Sequence, residues 1–314
     1  MPVLANVLRP RATLNPSISE RANATLQLPY AGYYINLERS ASRRASVEGQ
    51  LRALGLERTY SRFAAVEGRD AAGVAGSIAS GEYGCFASHA QLLSAAAVGT
   101  RHVHVLEDDV LLSPELPLLI GTLVTRGALD SFDLIFTDTF VPLDPPHIRF
   151  YEQAYRGREP LGRQPALLQE ATVIDLKGVY WACTSSYVAA QRSLKRIAAL
   201  LNDALRAGPS EPVDIYLRHL VNNGELKAAV CLPFVTSIDL ALDLDTTISR
   251  GAVGPDLTRL ACNIVRHSYF VRPDLEAIRR ITEQFFPVGV RTARGETIAR
   301  MLEFAVFGEY RTSF

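Results

Sequence analysis

The chain has 314 residues, which allows one large α/β domain with appendages or two smaller domains. Its 33 basic and 33 acidic residues cancel, excluding the basic footprint of a nucleic-acid binder, while 48% hydrophobic and 21% charged content fit a globular protein with a sizeable core. Cys85, Cys183, Cys231 and Cys262 are scattered without a Cys-x-x-Cys pair, which speaks against a disulfide framework or a structural zinc site and for a reducing cytosol.

Residues 1–28 show no clear period and are expected to form an extension. No signal peptide and no apolar run of roughly 20 residues is seen, so any work at the inner membrane would be peripheral. Tyr33–Leu37 reads as a first strand. Ser40 or Ser42 then caps a helix with Val47, Leu51 and Leu54 on one face and Gly55 at its end. Arg39 precedes this helix, and Arg43 and Arg44 occupy its first turn. Cations there oppose the helix dipole by about 0.3–1 kcal/mol. A bound anion would reverse the sign, because amides and guanidiniums would then act together; solvated arginines are the alternative.

Tyr60–Ala65 reads as a second strand, ending in a turn through Val66, Glu67 and Gly68. Gly81 and Gly84 are expected to precede a helix that runs through Leu92, Leu93 and Ala96, and to mark a close backbone approach. His89, on that helix, is by burial habit more often a hydrogen-bonded core residue than a ligand.

The stretch Val103 to Leu112 carries the strongest chemical signal. It is an apolar strand that stops on Glu107, Asp108 and Asp109 and then resumes. Three adjacent carboxylates at a strand end repel one another and lose hydration unless a cation is present. In open α/β sheets, strand carboxyl ends are where ligands sit, and Mg²⁺ or Mn²⁺ takes such oxygens together with substrate phosphate. A solvated acidic turn is the plain alternative.

Asp133–Asp138 reads as another strand with an acid at its end, Val141–Gly178 as a long loop region, and Val179–Thr184 as a further strand leading into an Ala/Leu-rich helix that ends near Gly208. Asp214 falls in the first turn of the next helix, where the dipole alone accounts for an acid. Lys227–Val235 reads as the last core strand. Beyond about residue 246, a helix from Pro273 with Leu275, Ile278 and Phe285 on one stripe and a second at 296–307 are expected, either packed on the core or forming a homodimer face.

Four elements occur in a telling order: Tyr34-Ile-Asn-Leu-Glu-Arg39 with Arg43-Arg44, Phe63 to Arg69, Gly81-Glu-Tyr-Gly-Cys-Phe-Ala-Ser-His89, and Val103 to Val110. Together they resemble glycosyltransferase family 25, which includes bacterial lipopolysaccharide and lipooligosaccharide galactosyltransferases and the collagen hydroxylysine galactosyltransferases. The resemblance is close over 33–115 and looser to about 240, where Pro212-Val-Asp214 fits a later family element. It implies an α/β, GT-A-type nucleotide-sugar-binding domain with a mostly parallel sheet over 29–245, followed by a C-terminal helical extension over 246–314.

The resemblance further implies a metal-dependent inverting transferase, moving galactose from UDP-galactose (or glucose from its epimer) to a saccharide or glycolipid acceptor. Glu107 and Asp109 would serve Mn²⁺ or Mg²⁺, and Asp108 would position the nucleotide sugar. Asn36, Leu37, Arg39, Arg43, Arg44, Glu67, Gly68, Ser88 and His89 would line the nucleotide side. Asp214, with Asp138 in reserve, would be the base that takes the acceptor proton. Tyr180 and Trp181 would stack on the acceptor sugar, although core packing is the commoner fate of strand aromatics. Two departures stand out: Glu67 where the family usually has aspartate, and the wording of 178–187, which bears on the acceptor. A non-catalytic binding module is the alternative reading. A phosphotransferase or hydrolase is a third, weakened by the lack of a Gly-x-x-x-x-Gly-Lys loop.

Overall fold

Strands that are apolar at consecutive positions, rather than at every second one, need a sheet covered on both faces. The computed structural model, which describes residues 28–68, 78–142, 150, 171–240, 257–271 and 273–285, has that sheet. Its strands are β1 (Tyr30–Asn36), β2 (Tyr60–Ala64), β3 (His102–Glu107), β5 (Leu134–Phe136), β6 (Thr172–Asp175), β7 (Ser186–Ala189) and β8 (Ala228–Leu232). They lie in the order β2-β1-β3-β7-β5-β8-β6. β1 pairs parallel with β2 and β3, β5 pairs parallel with β8, and β7 and β6 run antiparallel to their neighbours. Five strands therefore share one direction, and the expected α/β class with a mostly parallel sheet is what the protein has.

Alternate residues of each central strand feed different cores. Leu134, Phe136, Tyr187, Ala228 and Val230 pack on one face with α2 (Ser80–Ala96), α5 (Leu194–Ala207) and α6 (Val213–Asn222). Ile135, Val188, Ala229 and Cys231 pack on the other with α1 (Ala41–Ala53) and α3 (Leu116–Thr125), next to which lies the short α4 (Ala128–Ser131). Removing a fully buried aromatic such as Phe136 from such a core costs about 3–5 kcal/mol. A separate two-stranded ribbon joins β4 (Val110–Leu112) to β9 (Thr236–Ile238), antiparallel.

Several expectations are corrected. α2 begins at Ser80, so Gly81 and Gly84 lie inside it; the Glu82 carboxylate accepts the Ala79 N–H at 2.8 Å and starts the helix early. The close approach is nevertheless present, since a Cβ on Gly84 would lie 2.7 Å from the Val66 carbonyl oxygen. Val179–Thr184 is not a strand. Cys183 has φ of 81°, a left-handed conformation that cannot continue a ladder, and the strand follows at Ser186–Ala189. The region read as loop contains β6, because its Val173 and Ile174 find partners only in β8, distant in sequence.

Two further helices, α7 (Leu257–Ser268) and α8 (Leu275–Phe285), come from the C-terminal stretch. Leu260, Ile264, Ile278 and Ile281 are buried in the same core as α2 and α5, with Phe285 packed against it. The apolar stripe of α8 is thus used within the chain, which removes the stated reason for a dimer face there. The second expected helix, 296–307, and the extension before residue 28 lie outside the described residues. No helix among the described residues is long and apolar enough to cross a membrane.

Candidate functional site

β3 delivers its carboxyl end to a two-residue turn, Asp108-Asp109, that leads straight into β4 of the ribbon. Glu107 is anchored on both sides. Its N–H donates to the Ser185 carbonyl at 2.8 Å, and its carboxylate accepts the Thr184 hydroxyl at 2.9 Å, with His89 Nε2 at 3.3 Å. Asp108 accepts Asn36 Nδ2 at 2.6 Å, and Arg43 reaches Asp108 at 3.4 Å and Asp109 at 3.5 Å. The far side of the turn is fixed by Gln50 of α1, which donates to the Val110 carbonyl at 2.9 Å and accepts the Leu112 N–H at 2.8 Å.

Two cavities meet at this turn. The first, of about 530 Å³, is bounded by Leu37, Arg39, Glu67, Gly68, Ser88, His89 and Asp108. The second, of about 370 Å³, is bounded by Thr184, Ser185, Asp214, Asp239, Arg259, Asn263 and Arg266. Arg43, Cys85, Glu107 and Asp109 line both. The acids therefore form the wall between two adjoining chambers.

The first chamber gathers most of the residues assigned to the nucleotide side. Arg39 pairs with Glu67 across its mouth. Ser88 accepts the Val66 N–H at 2.9 Å and donates to the Gly84 carbonyl at 2.6 Å, which pins the turn of Glu67 and Gly68 onto α2. Gly68 has no alternative, because a Cβ there would meet the Ser80 carbonyl oxygen at 1.9 Å. Asn36 is buried behind this chamber and orients Asp108 while receiving Arg62 at 3.1 Å. Arg44 turns aside to Glu38, 3.4 Å away, and is not among the lining residues.

The second chamber holds Asp214. Its carboxylate accepts the Cys183 N–H at 2.8 Å and the Ile215 N–H at 2.9 Å. Burial nonetheless raises its pKa above the usual carboxylate range, against those two bonds. Asp109 is pushed up to about 7, by burial first and then by the charge of Glu107, with Arg43 opposing. Glu107 goes the other way: burial would raise it, but the hydrogen bonds from His89 and Thr184 hold it below its ordinary value. Asp108 is raised by burial, with Asn36 and Arg43 pulling against it. Among the described residues, Arg43 is the cation that pairs with Asp109, at 3.5 Å, while three carboxylates crowd the turn. Its oxygen donors fit a hard divalent cation.

Besides Asn36 and Arg44, three more expected site residues line neither chamber. Trp181 is fully buried and packs on Phe136 with ring centroids 4.7 Å apart, so it offers no face to an acceptor. Tyr180 is 43% exposed but lies under the Arg218 guanidinium at 3.8 Å and lines neither chamber. Asp138 is buried in an ion pair with Arg266, accepts the Ser185 hydroxyl at 2.9 Å and lines neither chamber. Sequence reasoning missed Arg259, Asn263 and Arg266 of α7. Their spacing of four and three puts them on one helix face, a signal that was available. Thr184 and Ser185 carried no such signal, since only the left-handed bend at Cys183 turns them inward.

Residues 31–132, which span β1 to the turn and on through α4, match the family described as glycosyltransferase family 25 (LPS biosynthesis protein). The resemblance drawn from the four ordered motifs is thereby met by an independent family model. No curated protein matches the chain. A solved structure described as the galactosyltransferase LgtC in complex with donor and acceptor sugar analogues aligns at 13% identity and a TM-score of 0.33, covering 85% of this chain and 99% of that one. Likeness of that degree decides nothing about this protein.

Proposed function

We propose that this chain, whose residues 31–132 are glycosyltransferase family 25 sequence, transfers a hexose from a nucleotide-diphosphate sugar to a saccharide or glycolipid acceptor, with inversion. The observation that carries the reading is the acid turn standing between two chambers, one lined by the family-matched motifs and the other by Asp214. UDP-galactose is the donor that the family resemblance favours.

In this reading the diphosphate lies in the first chamber, where Arg39 and Arg43 face it beside the amino end of α1. Asp108, held by Asn36, orients the donor's sugar hydroxyls. Asp109 and Glu107 would hold Mn²⁺ or Mg²⁺. When bound, such an ion supplies Lewis-acid stabilisation of the charge on the departing diphosphate. The acceptor enters the second chamber, so that its hydroxyl approaches the anomeric carbon from the face opposite the leaving group. Asp214 takes the hydroxyl proton as the new glycosidic bond forms and the bond to the diphosphate breaks. Its raised pKa brings it nearer the working pH, which favours a carboxylate as base. Thr184 and His89 hold Glu107 fixed through the step.

Thermal stability with UDP, UDP-galactose, UDP-glucose and GDP-mannose, each with and without Mn²⁺, tests the donor half. A ligand that binds only the native state at a hundredfold excess over its Kd stabilises by about 2.7 kcal/mol. The expected result is a shift with uridine compounds in the presence of metal, lost in Asp109→Ala. No shift with any nucleotide sugar would leave the binding-module alternative in its place.

A further inference from the structure

Beside the acid turn lies a group of metal-binding side chains in which the reading above gives the Cys85 thiol no task and gives His89 only the steadying of Glu107. Cys85 and His89 stand four apart on α2, so their side chains leave the helix on one face. The acid turn brings Glu107 against them. The thiol sulfur, an imidazole nitrogen and a carboxylate oxygen all lie within 4.8 Å of one another. His89 Nε2 is 3.3 Å from Glu107 Oε1. That is also about the edge of a tetrahedron with metal–ligand bonds of roughly 2.0–2.1 Å, so a hydrogen bond and a metal would hold the pair at the same separation. Both groups are supported from behind: His89 Nδ1 by the Tyr187 hydroxyl at 2.9 Å and Glu107 by Thr184 at 2.9 Å. Outer partners of this kind fix the orientation of metal ligands.

We propose that Cys85, His89 and Glu107 form a site for a thiophilic divalent cation of the zinc class, with its fourth position open to the cleft. The donor set selects the class of ion. Mg²⁺ and Ca²⁺ take oxygen, whereas a thiolate, an imidazole and a carboxylate together suit zinc. On binding, the sulfur–metal bond forms and the thiol proton passes to solvent. Nε2 releases the proton it shares with Glu107 and gives its lone pair to the metal, while Nδ1 takes up a proton in its place and donates it to the Tyr187 oxygen, so that the ring stays neutral. Because Glu107 belongs to the acid turn as well, an ion held here draws that carboxylate away from the donor side, and zinc inhibits transfer. That inhibition rests on the function proposed above; the binding does not.

The test uses the full chain stripped by a chelator and titrated with Co²⁺. A thiolate-to-cobalt charge-transfer band should grow to one equivalent, accompanied by the intense visible bands of four-coordinate cobalt. Zn²⁺ should erase both, and excess Mg²⁺ should leave them. Cys85→Ser should abolish the charge-transfer band and weaken Zn²⁺ binding by at least about tenfold, while Cys183→Ser keeps both. A band that survives Cys85→Ser, or one that vanishes in Cys183→Ser, overturns the site. Should Cys85→Ser fail to fold, alkylation of the unaltered chain followed by peptide mass spectrometry gives the answer. Zn²⁺ must slow the modification of Cys85, and an unchanged rate refutes the proposal. The readouts require no nucleotide sugar, so the failure of this site and the failure of the transferase reading are separate events.

Discussion

The two chambers differ in how the chain builds them. The walls of the first come from residues 35–109, in segments that follow one another along the sequence and lie inside the family-matched stretch. The walls of the second come from positions between 43 and 266, drawn from α2, the bend at Cys183, α6 and α7. A chamber built from consecutive motifs is specified by one continuous stretch of sequence. One assembled from distant segments can change its lining without disturbing that stretch. This fits a donor site with one task and an acceptor site free to vary.

The sharpest way to break that comparison is to separate chemistry from binding. Asp214→Asn should lower acceptor-dependent turnover by about 10²–10⁴-fold while leaving the Kd for UDP unchanged, as read by steady-state kinetics beside calorimetry. A weakened Kd would move Asp214 into the donor chamber. Next in size is Arg266→Met, which leaves Asp138 buried without its counter-charge and should cost roughly 3–5 kcal/mol in urea denaturation. A loss near zero would show that α7 is not integral to the second chamber.

Arg43→Ala should raise the Kd for UDP by about tenfold, reflecting a lost charge-assisted contact of roughly 1.5 kcal/mol, and leave the melting of the metal-free protein nearly as it was. The pH dependence of metal-free stability tests the crowding of the acid turn. Asp109 has a folded pKa of about 7 against an unfolded value of 3.8. The folded state then binds more protons than the unfolded one between those values, so its contribution falls as pH rises from about 4 to 7. Denaturation profiles of the wild type and Asp109→Asn should diverge over that window, the variant losing less stability as pH rises. Parallel profiles would mean the carboxylates do not crowd one another. The smallest effect belongs to Arg39→Ala. Its own side chain is 59% exposed in the pair with Glu67, and stability should change by about 0–1 kcal/mol.

How much of this was legible depended on sequence distance. The acid-ended strand, the start of α1 after Ser40 and Asp214 in a helix's first turn could be read because each is a local pattern of period or charge, although the Ser40 side chain makes no capping hydrogen bond. β6 could not, because four residues pairing with a strand more than fifty positions away carry no local signature. Trp181 takes the core-packing alternative, because an aromatic in an apolar stretch looks the same in sequence whether it faces a ligand or Phe136. His89 was read both as a core residue and as a nucleotide contact. It is buried and hydrogen-bonded, and it also borders the first chamber. Arg266 has the helical spacing with Arg259 and Asn263 as its local signal, but its ion pair with Asp138, 128 positions away, has none.

The carboxamide of Gln50 has a mechanical meaning. By holding both Val110 and Leu112, it couples helix α1 to strand β4, and the ladder from β4 to β9 carries the link on to Asp239. Asp239 borders the second chamber, and its N–H donates to the Asp109 carbonyl at 3.3 Å. One side-chain amide and one short backbone ladder thus tie the helix that flanks the first chamber to the rim of the second, and the two compartments share a single frame.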